Sequence, residues 1–396
     1  MSTGVYKQDD PRLRPVPLDA YPWTLIPSPP TPNAIVKVSL IPTSKLVAPL
    51  RLFTPAGDDD ETEEVPSWSF LIEKGDESIL FDLGLRADPE HSPRCVQNTQ
   101  DGRVCLGAGT HGYAAHSRRK IVEGPLRQFK PLPGKGPIER LTEHEYDLSR
   151  LKLVVLSHQH FDHYGNLDTL PSPAPPVLLG PNSLESIGPG YPADPNAAWP
   201  KSWLDKYRFV ELPGADAEGA WEGEIARLRL GAFHGGQHEL RWERVGCFDR
   251  GVDWFCDGSL WFLDGPGHCP GHIMALARVT ASPPSYILLG GDASHSQDLY
   301  LPVPTSPEHD LRLPLPVIDG QPQLAVDPAL ATYTIGQLTR MSAEENVMVL
   351  LAHEGEAEGV VDVYPGDLGE WKAKGWKEAK ERGLKDRAEA RRRGRT

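Results

Sequence analysis

The sequence has no long hydrophobic run. No stretch reaches the roughly 18 consecutive apolar residues that a membrane-spanning helix needs, and Met1 to Leu13 lacks the apolar core of a secretory signal. Cysteine is also scarce. The five cysteines are spread from Cys95 to Cys269 and do not form the dense framework of a small secreted domain. We therefore expect a soluble, cytoplasmic protein without membrane association, in which Cys95 and Cys105 either pair or remain free thiols.

An excess of positive charge is missing as well. The chain carries 41 Lys and Arg against 55 Asp and Glu, which gives a formal net charge of −14. Proteins that bind nucleic acid use lysine and arginine to displace counterions from phosphates, so this balance argues against a nucleic-acid partner. Residues 371–396 are a local exception, with eleven Lys and Arg against four Asp and Glu. We interpret them as a solvated helix at the chain end that needs no ligand.

Proline and glycine, in contrast, are abundant. The chain has 40 prolines and 38 glycines, so much of it must run in loops and turns. Residues 1–33 contain eight prolines and predict an extended arm that lies over the domain or over the partner subunit of a homodimer. Residues 34–365 predict the main domain, with long loop insertions at about 85–147 and 171–258. Residues 366–396 predict a basic C-terminal helical tail.

Short apolar runs predict strands in both halves of this domain. Residues 34–41 and 151–156 fit single strands, and the turn signal at 74–76 predicts a hairpin between residues 68–72 and 78–81. Further strands are expected at 260–263, 273–279, 286–289 and 347–351, with a helix between 327 and 340. Four aromatic residues of the second insertion either cover a pocket or pack as a satellite core: Trp199, Trp203, Tyr207 and Trp221.

A dense group of potential metal ligands follows the strand at 151–156. Ser157 to Gly165 has the sequence S-H-Q-H-F-D-H-Y-G. In an extended segment residues i and i+2 point the same way, so His158 and His160 can converge on one cation. Asp162 and His163 can then face a second one. Imidazole with carboxylate suits zinc, and also iron, manganese, cobalt or nickel.

Three further candidate ligands each follow an apolar run. His268 lies in G-H-C-P-G-H after L-W-F-L-D, Asp292 follows Y-I-L-L-G-G, and His353 follows V-M-V-L-L-A. A catalytic metal needs about three protein ligands and an open position, so a two-metal site requires more than the first motif. The shared placement at strand ends predicts that all of these residues converge on one centre.

In this order of motifs the chain resembles the metallo-β-lactamase superfamily, an α/β family whose members share an αββα sandwich and the pattern H-x-H-x-D-H, G-H-x-x-G-H, Asp, His. The resemblance covers residues 34–354 and implies that the domain at 34–365 is catalytic. It implies that one metal is held by His158, His160 and His268, and a second metal by Asp162, His163 and His353. Asp292 would bridge the two. His272 matches a structural position, and Asp82 a carboxylate that supports a metal ligand through a hydrogen bond.

The motifs look most like those of quorum-quenching N-acyl-homoserine lactonases. The expected reaction is hydrolysis of a small lactone by hydroxide held between two divalent transition-metal ions, most simply Zn²⁺. Asp292 would move the proton. Those lactonases carry a tyrosine three residues after the bridging aspartate, where this chain has His295. His295 either donates to the substrate or is a bystander. We do not assign Cys269 as a nucleophile, because no general base accompanies it in sequence.

Two alternatives remain open from the sequence. A thioesterase of the glyoxalase II or polyketide-releasing kind would use the same metals on a thioester carbonyl. A non-catalytic metal-binding scaffold would keep the fold without the activity, although the full set of seven ligands argues against it. Nuclease relatives fit the acidic charge poorly, and His160 argues against diiron redox relatives, which usually have glutamate there. The insertions are expected to determine substrate choice.

Overall fold

The computed structural model describes residues 5–394 except 30, 59, 88–128, 195–196 and, between 215 and 238, residues 215, 218, 220, 222, 226–227 and 229–238. Cys95 and Cys105 lie outside the described residues, as does most of the expected insertion at 85–147. Among the described residues, Cys247 and Cys269 are buried free thiols. In the described part of the chain, no helix is both long enough and apolar enough to cross a bilayer.

The first large sheet has six strands in the order β1-β4-β5-β7-β8-β9. These are β1 (Lys37–Ile41), β4 (Ser69–Lys74), β5 (Glu77–Phe81), β7 (Leu151–Val155), β8 (Val177–Leu179) and β9 (Phe209–Glu211). Strands β1, β4 and β5 pair antiparallel, whereas β5, β7, β8 and β9 run parallel. A parallel strand is buried on both faces, which explains why residues 151–155 are nearly all apolar.

The second large sheet has six strands in the order β10-β11-β12-β13-β14-β17. These are β10 (Glu243–Val245), β11 (Phe248–Asp253), β12 (Leu260–Asp264), β13 (Ile273–Ala281), β14 (Pro284–Leu289) and β17 (Val347–Leu350). Strand β14 pairs parallel with β17, and the other pairs are antiparallel. The described residues also form two small sheets. One joins β2 (Lys45–Pro49) to β3 (Thr62–Pro66) and β6 (Lys130–Pro131), and the other joins β15 (Val317–Ile318) to β16 (Gln321–Pro322).

Helices lie outside the two sheets. They are α1 (Pro137–Glu143), α2 (Phe161–Tyr164), α3 (Ser183–Ile187), α4 (Lys201–Lys206), α5 (Gln297–Tyr300), α6 (Pro328–Ser342) and α7 (Trp376–Gly394). Short 3-10 helices occur at Pro11–Leu13, Leu18–Ala20, Leu50–Leu52, Leu148–Arg150, Leu167–Thr169, Pro307–His309 and Gly355–Ala357. Helix α6 begins after Asp327, whose side chain accepts hydrogen bonds from the backbone N–H groups of Ala329 and Leu330.

Three apolar layers hold these elements together. The central layer joins the facing sides of the two sheets, with Phe70 and Val155 from the first and Phe262 and Ile287 from the second. One outer layer packs the helices of the first half against the first sheet. The other packs α6 against the second sheet, with Leu338 fully buried. The αββα sandwich expected from the resemblance is confirmed.

Residues 171–258 depart from the sequence expectation of a loop insertion. They supply β8 and β9 to the first sheet and β10 and β11 to the second. Three of these strands are only three residues long, too short for a periodic pattern to be visible in the sequence. The aromatic residues of this segment belong to the core: Trp199, Trp203 and Tyr207 pack in one outer layer, and Trp221 packs in the central layer.

Described residues of both the N-terminal arm and the C-terminal helix pack on the domain. Leu13 and Tyr21 of the N-terminal arm are buried against the second sheet and α6, so of the two expected positions the arm takes the one over its own domain. Helix α7 also docks there, through Leu384, which is buried in the same layer. The first half of α7 is therefore not the fully solvated helix that its composition indicates.

Candidate metal centre

The carboxyl ends of four strands and the turn between β12 and β13 bring the predicted ligands together. Asp82 follows β5, the H-x-H-x-D-H motif follows β7, Asp292 follows β14, and His353 follows β17. Because β5 and β7 are parallel, and β14 and β17 are parallel, their ends meet at one edge of each sheet. His268 lies in the turn that joins β12 to β13. The sandwich therefore places residues far apart in sequence around one point.

The first donor set consists of three histidines. Nε2 of His268 lies 3.2 Å from Nε2 of His158 and 2.9 Å from Nδ1 of His160. The last two nitrogens are 2.9 Å apart. Ligands about 2.1 Å from a tetrahedral zinc are roughly 3.4 Å from one another, so these three nitrogens have a spacing close to that of ligands around one cation.

The second donor set combines two histidines and a carboxylate. Nε2 of His353 lies 3.4 Å from Oδ2 of Asp162, and Nε2 of His163 lies 4.0 Å from Oδ1 of Asp162. Asp162 and His163 are on the single turn of α2, whereas His353 comes from the far end of the chain. The three side chains form a potential ligand group with one atom each.

Asp292 lies between the two donor sets. Its Oδ1 is 3.1 Å from Nε2 of His163 and 3.2 Å from Nε2 of His353. Its Oδ2 is 3.6 Å from Nε2 of His158 and 3.5 Å from Nε2 of His268. Each carboxylate oxygen thus faces a different set, which is the arrangement that a bridging ligand requires.

Hydrogen bonds orient several of these imidazoles. Nδ1 of His163 lies 2.9 Å from Oδ2 of Asp82, and Asp82 also accepts from the backbone N–H and the hydroxyl of Ser157. Nδ1 of His268 donates to the carbonyl oxygen of Leu324, and Nδ1 of His353 to that of Pro66, both at 2.7 Å. Such partners leave Nε2 with its lone pair directed at the centre.

His272 has a different role in the structure. Its Nδ1 donates to the carbonyl oxygen of Gly265, and its Nε2 accepts from the backbone N–H of Asp292, both at 2.9 Å. Gly291 has a φ of +51°, and a Cβ there would lie 2.8 Å from Nε2 of His272. His272 therefore holds the Asp292 loop and keeps no free nitrogen for a cation.

Burial and charge set the protonation of the centre. Burial lowers the pKa of His158 and of His268 well below the usual range, and lowers the pKa of His160 to about 4. Burial alone would also lower the pKa of His163, but Asp292 and Asp82 raise it well above its usual value. The charge of His163 in turn holds the pKa of Asp292 well below the usual range, against the effect of burial.

The donor set fits divalent cations. Nε2 of His163 and Oδ1 of Asp292 are buried and complete no hydrogen bond, although they are 3.1 Å apart. The histidines of the first set have lowered pKa values and direct their nitrogens at one another, which is unfavourable for neutral imidazoles unless a cation is shared. Buried polar atoms without partners are rare in proteins and need an explanation. Two ions, one for each set, would satisfy them.

His295 lies at the edge of the centre. Its Nε2 is 3.1 Å from Oδ2 of Asp292, and its ring stacks on that of His353 with centroids 5.9 Å apart. The ring of Phe53 lies 6.0 Å from His295 and 6.2 Å from His353, and Phe129 lies 6.2 Å from Phe53. Two buried aromatic rings therefore form an apolar wall beside the polar donors.

Sequence reasoning missed several supporting groups. Nothing in the sequence marks the carbonyl oxygens of Pro66 and Leu324, because every residue has one. Leu324 has a φ of +54°, an unusual conformation for leucine that sequence does not indicate. The apolar wall was missed as well, since Phe53 and Phe129 are isolated in sequence. All seven predicted ligands lie at the centre, and their binding of metal stays a prediction.

Relatives with similar sequences include fungal proteins. Gamma-lactamase MBL2 of Gibberella moniliformis is 33% identical over 240 residues, which are 60% of this chain and 80% of the relative. Cytochrome P450 monooxygenase mpaDE of Penicillium brevicompactum is 30% identical over 357 residues. These are 87% of this chain but 36% of that relative, so the chain spans about a third of the length of that protein.

A solved structure and a family sequence model are also similar to this chain. An N-acyl homoserine lactone hydrolase with the product N-hexanoyl-L-homoserine bound at its catalytic metal center superposes with a TM-score of 0.51 at 18% identity. The match covers 84% of this chain and 99% of the other, and it supports the fold. The sequence model of the metallo-beta-lactamase superfamily matches residues 62–239. With the relative that is 33% identical over most of its own length, these findings show that this chain belongs to the metallo-β-lactamase superfamily.

Proposed function

We propose that the chain is a two-metal hydrolase that opens the ring of a small lactone. The observation that carries this proposal is the position of Asp292, whose two oxygens face the two donor sets separately. A carboxylate in that position can bridge a pair of cations, and many hydrolytic enzymes use such a pair.

The side chains divide into two ligand groups in this proposal. His158, His160 and His268 hold one ion, and Asp162, His163 and His353 hold the other, with Asp292 shared. Histidine and carboxylate ligands suit Zn²⁺, and iron, manganese, cobalt or nickel are chemically compatible. When bound, the two ions would lower the pKa of a water molecule and polarise a carbonyl group.

Asp292 and His295 are the groups that move a proton in this proposal. Ring opening consumes one water: its oxygen bonds to the carbonyl carbon, the ring C–O bond breaks, and the ring oxygen takes a proton. Oδ2 of Asp292 and Nε2 of His295 are 3.1 Å apart, a distance at which a proton passes between them. His295 at the edge of the centre can then deliver the proton to the departing oxygen.

The apolar wall indicates which substituent the lactone ring carries. Phe53 lies next to His295 and His353 on one side of the centre, and Phe129 packs against Phe53. Burying an apolar substituent against these rings stabilises the bound substrate by about 25 cal/mol for each Å² removed from water. We therefore propose a lactone with an apolar substituent rather than a highly charged one.

A γ-lactam is the second candidate substrate. The relative from Gibberella moniliformis is named a gamma-lactamase, and a five-membered cyclic amide presents its carbonyl to the same donors. The amide has a poorer leaving group than the ester, so the proton from His295 would matter more for the lactam.

A substrate panel tests this proposal. The full chain, purified with Zn²⁺, is incubated with an alkyl γ-lactone, an N-acyl homoserine lactone, the matched γ-lactam, an acyl thioester and a phosphodiester. Each hydrolysis product is quantified by liquid chromatography, because opening a lactam gives a carboxylate and an ammonium group and releases no net acid. We expect the lactones to be turned over fastest, with activity lost on chelation and restored by Zn²⁺. Asp292→Asn should lose activity, and Asp249→Asn, on the exposed surface of the second sheet, is the matched control.

Other results of the substrate panel would select a different function. Faster hydrolysis of the γ-lactam would select the second candidate, and turnover of the thioester alone would select a thioesterase. A protein that binds fewer than two metal ions, with no turnover of any of the five compounds, would be a scaffold rather than an enzyme.

A further inference from the structure

A buried carboxylate lies directly behind the second donor set. Glu354 is the residue after His353, and its side chain is fully buried. One oxygen accepts from the backbone N–H of Leu351 at 3.0 Å, and the other accepts from Nε2 of Gln297. The carbonyl oxygen of Glu354 accepts from the indole N–H of Trp68 at 3.1 Å. Both carboxylate oxygens and the backbone carbonyl oxygen of Glu354 thus accept hydrogen bonds.

These contacts connect the two loops that carry the centre. Leu351 belongs to the segment that leads to His353, and Gln297 starts α5, two residues after His295. The backbone N–H of Ala352 donates to the carbonyl oxygen of Gly291, which precedes Asp292. A displacement of the Glu354 carboxylate would therefore be passed to both loops.

The positive charge opposite Glu354 comes from the C-terminal helix. Nζ of Lys380 is paired with Oε1 of Glu354, and the side chains are 2% and 0% exposed. The same nitrogen donates to the carbonyl oxygen of Val349 at 2.5 Å. Lysine and glutamate are almost never buried to this extent unless they are paired, and removing one partner of a buried pair leaves a charge uncompensated.

The neighbouring residues of α7 do not share this contact. Lys377 donates to the carbonyl oxygens of Ser342, Glu344 and Val347, at the end of α6 and the start of β17. Leu384 packs in the outer apolar layer between α6 and the second sheet. These residues dock the helix, whereas Lys380 reaches the loop that carries His353.

We infer that Lys380 is a positioning residue: with Glu354 it holds the His353 loop so that the second metal ion binds. This inference rests on the proposed two-metal centre. The basic segment at the chain end thereby has a function in the site, through a single buried ammonium group rather than through its many surface charges.

The test is metal binding, measured separately from turnover. Wild type, Lys380→Met, Lys380→Arg and Lys377→Met are loaded with Zn²⁺, and bound metal is determined by elemental analysis and by competition with a chelator. We expect two ions in the wild type. In Lys380→Met the second ion should bind roughly 10- to 100-fold more weakly, the usual effect of losing a group that orients a metal ligand. Lys380→Arg keeps the charge and should restore binding.

Lys377→Met separates positioning from stability. It should lower the melting temperature while both ions bind as in the wild type. If Lys380→Met does not fold, Glu354→Gln provides the same comparison, because the amide keeps the size of the side chain and removes the negative charge that pairs with Lys380. Binding of two ions with wild-type affinity in Lys380→Met or Glu354→Gln would overturn the inference. A wild type that binds fewer than two ions would instead overturn the proposed two-metal function.

Discussion

Oδ2 of Asp82 lies 2.9 Å from Nδ1 of His163, and both side chains are buried. Asp82 has a φ of +59°, a conformation that aspartate tolerates better than most residues. The strand end at β5 is therefore shaped to deliver this carboxylate to an imidazole 81 positions away in sequence.

Asp82→Asn should weaken metal binding. The amide is a weaker acceptor than the carboxylate for N–H of His163, so the imidazole is less well oriented and less basic. We expect roughly 10- to 100-fold lower affinity for the ion bound by His163, measured by competition with a chromogenic chelator. Asp147→Asn, at an exposed turn that precedes β7, should bind metal as the wild type does. Equal affinities in the two variants would rule out this function of Asp82.

His295→Phe should lower kcat more than it raises KM. The phenyl ring can keep the stacking on His353 but supplies no proton, so loss of general acid catalysis should reduce kcat roughly 100-fold or more. His309→Phe, on an exposed 3-10 helix, should leave the kinetics unchanged. Metal content is measured in parallel. Loss of an ion from His295→Phe would identify His295 as a ligand, and an unchanged kcat would identify it as a bystander.

Leu13→Ala should destabilise the whole domain. Leu13 is 1% exposed although it belongs to the proline-rich arm, and removing a buried leucine side chain costs about 2–5 kcal/mol. Leu25→Ala, at a residue of the same arm that is 77% exposed, should change the free energy of unfolding by less than about 0.5 kcal/mol. Urea unfolding of both variants is the measurement. Equal effects would mean that the arm is not part of the folded domain in solution.

Asp253→Asn should remove a pH-dependent loss of stability. Burial raises the pKa of Asp253 from 3.8 to about 6, so between these values the folded state binds more protons than the unfolded state. The wild type therefore loses stability as pH rises through this window, and the loss persists above it. The asparagine variant lacks this titration, and its amide oxygen can still accept from the backbone N–H of Gly258.

Urea unfolding at two pH values measures this difference. The stability advantage of Asp253→Asn over the wild type should grow by roughly 1 kcal/mol between about pH 5 and pH 7.5. An advantage that is the same at both values, or that shrinks as pH rises, would contradict the raised pKa.

Much of the sheet structure could be predicted from the sequence. The runs at 151–155 and 347–350 are almost wholly apolar and bounded by polar residues, and both are strands. The hairpin around Gly75 was predictable because its turn residues are distinctive. Strands β8, β9 and β10 were not predictable, since three residues are too few to show a period.

The burial of Lys380 could not be predicted from the composition of its helix. A helix with many lysines and arginines indicates a solvated surface, and composition does not reveal which lysine turns inward. Trp376, Lys380 and Leu384 are buried at intervals of four residues, a helical spacing. This stripe is hidden in the sequence because its central residue is charged.

The sequence by itself determined which side chains can act as ligands and in what order they occur, because strand ends are marked by local apolar runs and the donors follow them directly. Only the tertiary structure decided how those donors are divided. It places the two oxygens of Asp292 on opposite donor sets, turns the carbonyl oxygens of Pro66 and Leu324 towards His353 and His268, and brings Lys380 behind the His353 loop. These contacts join residues distant in the chain, and they arise only when the two sheets pack and bury their apolar faces.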